Sequence, residues 1–105
     1  MHKLLVLYPE PIDRTAFIDY YTHSHLPLAK HLPGMTSWTY SVDASTDSEG
    51  KAPYFALFEA VFPDAKTFAD AMASEAGQDV AADVGNYATG GVVIIDFAIS
   101  GGEYS

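Results

Sequence analysis

The chain has 105 residues, of which 49% are hydrophobic and 18% charged, so it is long and apolar enough to fold around one core. Fourteen acidic against five basic residues give a net charge of −9, which argues against a nucleic acid or an anionic membrane as partner. No cysteine is present, which excludes disulfides and thiolate ligands. The apolar run before Pro9 is too short for a signal peptide, so a cytoplasmic protein is expected.

The first predicted elements are a strand and a helix. Residues 3–8 are β-compatible and apolar on both alternating faces, which predicts a central strand that ends at Pro9. Asp13 is a suitable N-cap for the helix that follows. The helical pattern continues over residues 17–32 and stops at Gly34, a residue suited to a turn.

The remaining elements complete a recognisable order. They are a half-buried strand near a sheet edge (35–42), an exposed hairpin loop (43–53), a strand (54–62), a helix capped by Asp64 and ended by Gly77, a helical piece with Val80 and Val84 inward (78–84), a last strand (91–99) and a loose tail (100–105). The order predicts one α+β domain over residues 1–105, with the ferredoxin-like βαββαβ fold and a four-stranded antiparallel sheet. Helices cover only one face of such a sheet, and the other apolar face predicts a homodimer.

The helix at residues 17–32 concentrates the side chains suited to a site. At about 100° per residue, one face carries Phe17, Tyr21, Leu28 and Leu32, with Tyr20 and Ser24 on one border and His25 on the other. Pro27 removes a backbone donor and disfavours helical geometry at Leu26, so we expect the helix to kink or restart close to His25. A kinked, aromatic and half-polar face is the best candidate site in the chain.

His25 is the leading candidate for chemistry. A histidine titrates near neutrality, and the kink would direct the imidazole into the space between helix and sheet. Tyr21 lies four residues earlier and can touch it, and Phe17 and Tyr20 would line the same space for a substrate. A histidine at the margin of an apolar face is more often a structural hydrogen-bonder, and both alternatives stay open.

Three further residues are candidates for the wall of a pocket. Glu59 and Asp96 are each a lone carboxylate in an apolar strand. Each is either a paired structural residue at a sheet end or interface, or a group that faces the same cavity as His25 and orients it. Trp38 is more often a core or interface residue, but it could contact a flat apolar molecule.

Signatures of a bound metal or nucleotide are missing from the sequence. His23 and His25 diverge by about 200° on a helix, which is wrong for sharing an ion. The glycines lack the spacing of a phosphate-binding loop, and no Gly-x-Ser-x-Gly turn occurs. We therefore expect no metal site, and chemistry that uses no cofactor or one that arrives as the substrate.

One segment resembles a known family. Phe17-x-x-Tyr20-Tyr21-x-x-x-His25-x-Pro27-Leu28, followed by Leu32-Pro-Gly34, is similar to the EthD family (ethyl tert-butyl ether degradation) of the dimeric α+β barrel superfamily. The resemblance implies two sheets packed in a dimer, a pocket between helix and sheet, and the family's motif histidine at His25 with Tyr21 as companion. Superfamily relatives include cofactor-independent monooxygenases, polyketide cyclases and muconolactone isomerases, and the family itself is often labelled oxidoreductase.

Three functions are compatible with these patterns. The first is a homodimer that binds a small apolar or aromatic molecule and uses His25 as proton donor or acceptor in a cofactor-free oxidation or a related degradation step. The second is a non-catalytic ligand-binding or accessory protein of a degradation or biosynthetic pathway, in which His25 is structural. The third is an interaction module without an enclosed pocket.

Overall fold

The computed structural model describes residues 1–44 and 53–101, which form a four-stranded sheet with helices on one face. The elements are β1 (His2–Tyr8), α1 (Arg14–Tyr20), a π-helical turn (Tyr21–His25), α2 (Leu26–Ala29), β2 (Ser37–Val42), β3 (Ala56–Phe62), α3 (Ala65–Ala73), α4 (Glu75–Asp83), a 3₁₀ turn (Val84–Asn86) and β4 (Val93–Ala98). This order confirms the predicted α+β ferredoxin-like fold. The predicted loop at residues 43–53 and tail at residues 100–105 lie mostly outside the described residues.

The sheet is antiparallel throughout and has the order β2-β3-β1-β4, so β1 is central and β2 is an edge strand, as predicted. Val6 lies opposite Phe58 on one side and Ile94 on the other, which fixes the register. Because side chains alternate along a strand, His2, Leu4, Val6 and Tyr8 all face the helices and are buried. The core is built on this face.

Aspartate side chains cap the N-termini of two helices. Asp13 accepts a hydrogen bond from the Ala16 backbone N–H at 3.0 Å, and Asp64 accepts one from the Thr67 N–H at 2.7 Å. These contacts confirm both predicted N-caps. Gly34 has φ of +80°, which confirms the predicted turn after α2.

Gly77 does not end a helix, and that prediction is wrong. The chain turns at Ser74 instead, whose hydroxyl accepts a hydrogen bond from the Gly77 N–H, so that Gly77 lies in the first turn of α4. A Cβ at this position would lie 2.3 Å from the carbonyl oxygen of Ala71. Glycine is therefore required because α4 begins in direct contact with the end of α3.

The second face of the sheet carries no helix in the described part of the chain. Its apolar side chains are half-buried or exposed, and they are Leu5, Leu7, Leu57, Val61, Val93, Ile95 and Phe97. A contiguous apolar face of this kind is typical of interaction surfaces. Among the described residues, no helix is long and apolar enough to cross a membrane.

Candidate functional site

The helix that carries His25 changes its winding at the predicted position. Between α1 and α2 the backbone forms a π-helical turn, in which the Leu26 N–H donates to the Tyr21 carbonyl five residues back. Pro27 has no N–H to offer, and the Thr22 hydroxyl donates to the Ile18 carbonyl at 2.7 Å. The predicted departure from helical geometry at Leu26 is wrong, because its φ and ψ are −56° and −38°.

This wider turn alters which side chains face the sheet. His25 is 3% exposed, so it lies inside the core rather than at the margin of the helix face. Leu26 and Ala29 are buried as well, whereas Leu28 is only half-buried. The predicted shared face of Tyr21 and Leu28 is therefore wrong, because a π turn holds one residue more than an α turn.

His25 is paired with a carboxylate from the far end of α4. Its Nδ1 lies 2.9 Å from Oδ2 of Asp83, and the two side chains are 4% and 11% exposed. Oδ1 of the same carboxylate accepts hydrogen bonds from the Tyr20 hydroxyl at 2.6 Å and the Asn86 amide at 2.9 Å. With Asp83 ionised, Nδ1 of His25 carries the proton and donates it, which leaves Nε2 as the acceptor nitrogen.

The environment sets the charge of both partners. Burial lowers the pKa of His25, although the hydrogen bond and charge of Asp83 act in the opposite direction. Burial tends to raise the pKa of Asp83, but hydrogen bonds from Tyr20, Asn86 and His25 outweigh it and hold that pKa below its usual value. At neutral pH the pair is thus a neutral imidazole beside a carboxylate, in which Nε2 can accept a proton.

An apolar cavity of about 50 Å³ lies beside the imidazole, between the helices and the sheet. His25 forms part of its wall, and the sheet contributes Leu4, Val6, Tyr8 and Phe58. Val80 and Val84, which were predicted to point inward, line it from the other side. The cavity has room for several water-sized groups and is smaller than ligand clefts of about 300–1,000 Å³. It suits a small, mostly apolar molecule.

A cluster of tyrosines surrounds the same histidine. The Tyr87 ring lies 4.5 Å from the His25 ring, centroid to centroid, and its hydroxyl lies 2.6 Å from that of Tyr8. Tyr21 stacks on His25 at 5.6 Å, which confirms the predicted contact, and its hydroxyl is buried without a hydrogen-bond partner among the described residues. Burial raises the pKa of Tyr8 to about 12 and also raises the pKa of Tyr21 and Tyr87, so all three are neutral phenols.

The structure brings together the predicted residues of the first helix. Tyr20 is half-buried and bonds to Asp83, and Tyr21 contacts the imidazole. Phe17 is 2% exposed and packs against the rings of Tyr8 and Tyr21, so its contacts are those of a core residue. These contacts place Tyr20 and Tyr21 beside His25, and a role in substrate binding stays a prediction for all three.

The other three predicted residues lie elsewhere. Glu59 is on the sheet face without helices, where its carboxylate is 3.7 Å from the Lys3 ammonium. Asp96 is on the helix face but accepts a hydrogen bond from Nε2 of His2 at 2.7 Å. Trp38 is 37% exposed on edge strand β2 and stacks on Phe58. None of the three is in the cavity wall, so their proposed contact with a substrate gains no support from the geometry.

The partner that the sequence analysis missed is Asp83. Its signal was available, because Asp83 lies three residues after Val80 and one before Val84, next to the two side chains that were predicted to point inward. His23 lies outside this site, since its side chain is 77% exposed. Within residues 1–44 and 53–101, no three His, Asp or Glu side chains are close enough to hold a metal ion.

Solved structures share this fold. The EthD family protein of Bacillus halodurans superimposes with a TM-score of 0.88 and 23% identity, over 95% of this chain and 99% of that one. A dimeric ferredoxin-like protein of unknown function from Thermobifida fusca has a TM-score of 0.72 and 11% identity, over 93% of this chain and 90% of that one. At these identities the likeness establishes the fold alone.

Sequence comparison establishes the family. An uncharacterised 11.0 kDa protein from the thcB-thcC intergenic region of Rhodococcus erythropolis is 33% identical over 95 residues, which are 90% of this chain and 91% of that protein. The profile of the EthD domain matches residues 9–91, a range that contains both His25 and Asp83. The chain belongs to the EthD family.

Proposed function

We propose that the chain binds a small, largely apolar or aromatic molecule in the cavity and exchanges a proton with it at Nε2 of His25. The observation that carries this proposal is the buried His25–Asp83 pair, with its 2.9 Å contact and with His25 in the wall of an apolar cavity. Asp83 holds the imidazole in one tautomer and orientation, and it stabilises the imidazolium that forms when Nε2 takes a proton.

The proposed chemistry needs no metal and no resident cofactor. The apolar wall favours the uncharged body of a substrate, and a neutral imidazole is ready to act as a base. Removal of a proton is the first step of a cofactor-free oxidation, which is the reaction that the oxidoreductase label of the family suggests. The same step begins other reactions of degradation, so the proton transfer is the part of the proposal to test first.

Nitroethane is a suitable probe for this step, because it is small and its deprotonation is visible by ultraviolet absorbance. We expect the protein to deprotonate it faster than the same concentration of free imidazole does. His25→Gln, which keeps a side chain able to hydrogen bond near Asp83, should lose most of the rate. His31→Gln is the matched control, since His31 is exposed and outside the cavity wall. Equal rates for the wild type and His25→Gln would contradict proton transfer at His25.

A non-catalytic ligand-binding or accessory protein is the alternative. The near-complete burial of His25 and the small cavity favour it, because a structural imidazole needs no access for a substrate. Binding of benzene can be followed through the NMR signals of Val80 and Val84, both in the cavity wall. Binding of benzene without deprotonation of nitroethane would support this alternative, and the absence of any binding would contradict both functions.

The proposal includes a homodimer, in which the second copy covers the apolar sheet face. Ile95 is 43% exposed on that face and lies opposite Leu5 of the central strand. The Thermobifida fusca protein with the same fold is dimeric. We expect Ile95→Asp to give monomers in sedimentation velocity, because a buried unpaired carboxylate is costly. Ile12→Asp, at a side chain 86% exposed and outside the sheet, should stay dimeric. A monomeric wild type would contradict this part of the proposal.

A further inference from the structure

The tyrosines beside the cavity have more hydroxyl protons than acceptors. Tyr8 and Tyr87 share one hydrogen bond at 2.6 Å, which uses one of their two protons. Tyr21 supplies a third proton, and its hydroxyl has no partner among the described residues although the side chain is 0% exposed. A buried hydroxyl without a partner costs about 1–3 kcal/mol. The cluster therefore has donor capacity for an acceptor that the chain itself does not provide in the described residues.

Tyr8 is the member of this cluster that can reach a ligand. Of the three tyrosines, it is the one in the cavity wall, which it shares with His25. When the Tyr87 hydroxyl donates the hydrogen bond that the two share, the Tyr8 oxygen accepts it and the proton of Tyr8 is free. The pKa of Tyr8 agrees with this arrangement, because burial raises it and the hydrogen bond with Tyr87 lowers it.

Tyr87 packs between two residues of the cavity wall, Tyr8 and His25. Its ring centroid lies 5.4 Å from that of Tyr8 and 4.5 Å from that of His25, so it packs against both. An oxygen held by the Tyr8 hydroxyl and a carbon beside Nε2 of His25 would thus belong to one small molecule. The remaining wall is apolar, which leaves the rest of that molecule without polar contacts.

We propose that the ligand is a small carbonyl compound, whose oxygen accepts a hydrogen bond from the Tyr8 hydroxyl while His25 removes a proton from the adjacent carbon. This inference rests on the ligand binding and proton transfer proposed above, and it adds the substrate class and a second catalytic residue.

The step is balanced without an oxidant. The C–H bond beside the carbonyl breaks, and its proton forms a bond to Nε2 of His25. The electron pair becomes the carbon–carbon double bond of an enolate, and the carbonyl π pair moves to the oxygen. The Tyr8 hydroxyl stabilises this negative oxygen, and Asp83 stabilises the imidazolium. Return of the proton regenerates the carbonyl compound or its isomer.

A matched pair of ligands tests the role of Tyr8. Cyclopentanone and methylenecyclopentane have nearly the same shape and differ in the oxygen. We expect Tyr8→Phe to weaken the binding of cyclopentanone about tenfold and to leave methylenecyclopentane unchanged, as measured by NMR titration. Tyr54→Phe, outside the cavity wall, should change neither affinity. Equal effects of Tyr8→Phe on both ligands would overturn the inference.

Two further measurements do not need Tyr8→Phe, and they keep the test decisive if that variant does not fold. The carbonyl carbon of bound [1-¹³C]cyclopentanone should resonate downfield of its position in hexane, because the oxygen accepts a hydrogen bond, and an unshifted resonance would overturn the inference. In D₂O the protein should accelerate exchange of the protons beside the carbonyl, and His25→Gln should abolish the acceleration. If the protein deprotonates nitroethane but binds cyclopentanone no more tightly than methylenecyclopentane, carbonyl recognition is overturned and the proposed function still stands.

Discussion

Two buried histidines in this structure are bonded to aspartates, and only one of the pairs makes a candidate site. Nδ1 of His25 lies 2.9 Å from Asp83, and Nε2 of His2 lies 2.7 Å from Asp96, so the contacts themselves are alike. The aspartates differ, because the Asp96 side chain is 47% exposed and that of Asp83 is 11% exposed. Water can therefore screen the charge of Asp96 much more than that of Asp83.

The surroundings of the two imidazoles differ as well. His25 lies in the wall of an apolar cavity, and its aspartate is also held by Tyr20 and Asn86. His2 instead packs its ring against Phe68 at 5.2 Å. A histidine–aspartate contact is thus not enough to indicate a site. The His25 pair is distinguished by low exposure, by further hydrogen bonds that fix the carboxylate, and by an apolar cavity with the imidazole in its wall.

The largest expected difference between the pairs appears when each carboxylate is neutralised. Asp83→Asn should lower the free energy of unfolding by about 3 kcal/mol, because it breaks a buried pair and leaves its donors poorly matched. Asp96→Asn should cost less than about 1 kcal/mol, since that carboxylate is half-exposed. Urea denaturation measures both values. Equal losses would show that burial does not separate the two pairs.

A smaller effect is expected from the hydrogen bonds that hold Asp83. Tyr20→Phe removes the hydroxyl that donates to Oδ1 at 2.6 Å and should cost about 1–2 kcal/mol in the same assay. Tyr54→Phe is the matched control, and we expect its cost to stay within about 0.5 kcal/mol. A loss for Tyr20→Phe no greater than that of the control would mean that Asp83 is held without Tyr20.

The smallest expected effect is in the pH dependence of stability. Because the pKa of His25 is lower in the folded protein than its ordinary value of 6.5, the unfolded chain binds more protons between those two values. His25 should therefore contribute stability above pH 6.5 that is lost as the pH falls towards its folded pKa. The difference in unfolding free energy between the wild type and His25→Gln, measured by urea denaturation across this range, should shrink with acid. A constant difference would contradict a lowered pKa.

The sequence was sufficient to predict the fold, because each strand and helix has a local signal. Asp13 and Asp64 begin helices, and the apolar runs at residues 3–8 and 54–62 correspond to the two central strands. Position 25 was also predictable as a candidate, because a histidine two residues before a proline disturbs an otherwise apolar helix face. These signals depend on neighbours along the chain, which the sequence displays directly.

The carboxylate partner was not predicted, because it depends on contacts between distant elements. His25 and Asp83 are 58 positions apart, and their contact requires α4 to lie against the π-helical turn. The choice among Glu59, Asp96 and Asp83 is decided by strand register and by where α4 ends. The π-helical hydrogen bond between Tyr21 and Leu26 was not predictable either. Pro27 indicates that the helix is irregular, but it does not indicate whether the turn widens or the helix bends.

The π-helical turn also determines how this site can change in evolution. A substitution within residues 21–25 alters one side chain, whereas deletion of one residue would turn the π-helical turn into an α-helical turn, so that the side chains within it shift while Leu26 and the residues after it keep their places. The spacing between Tyr21 and His25 would change, while the sheet and its register stayed the same. Differences in the number of residues between Tyr21 and Pro27 are therefore the place to look when members of this family differ in their chemistry.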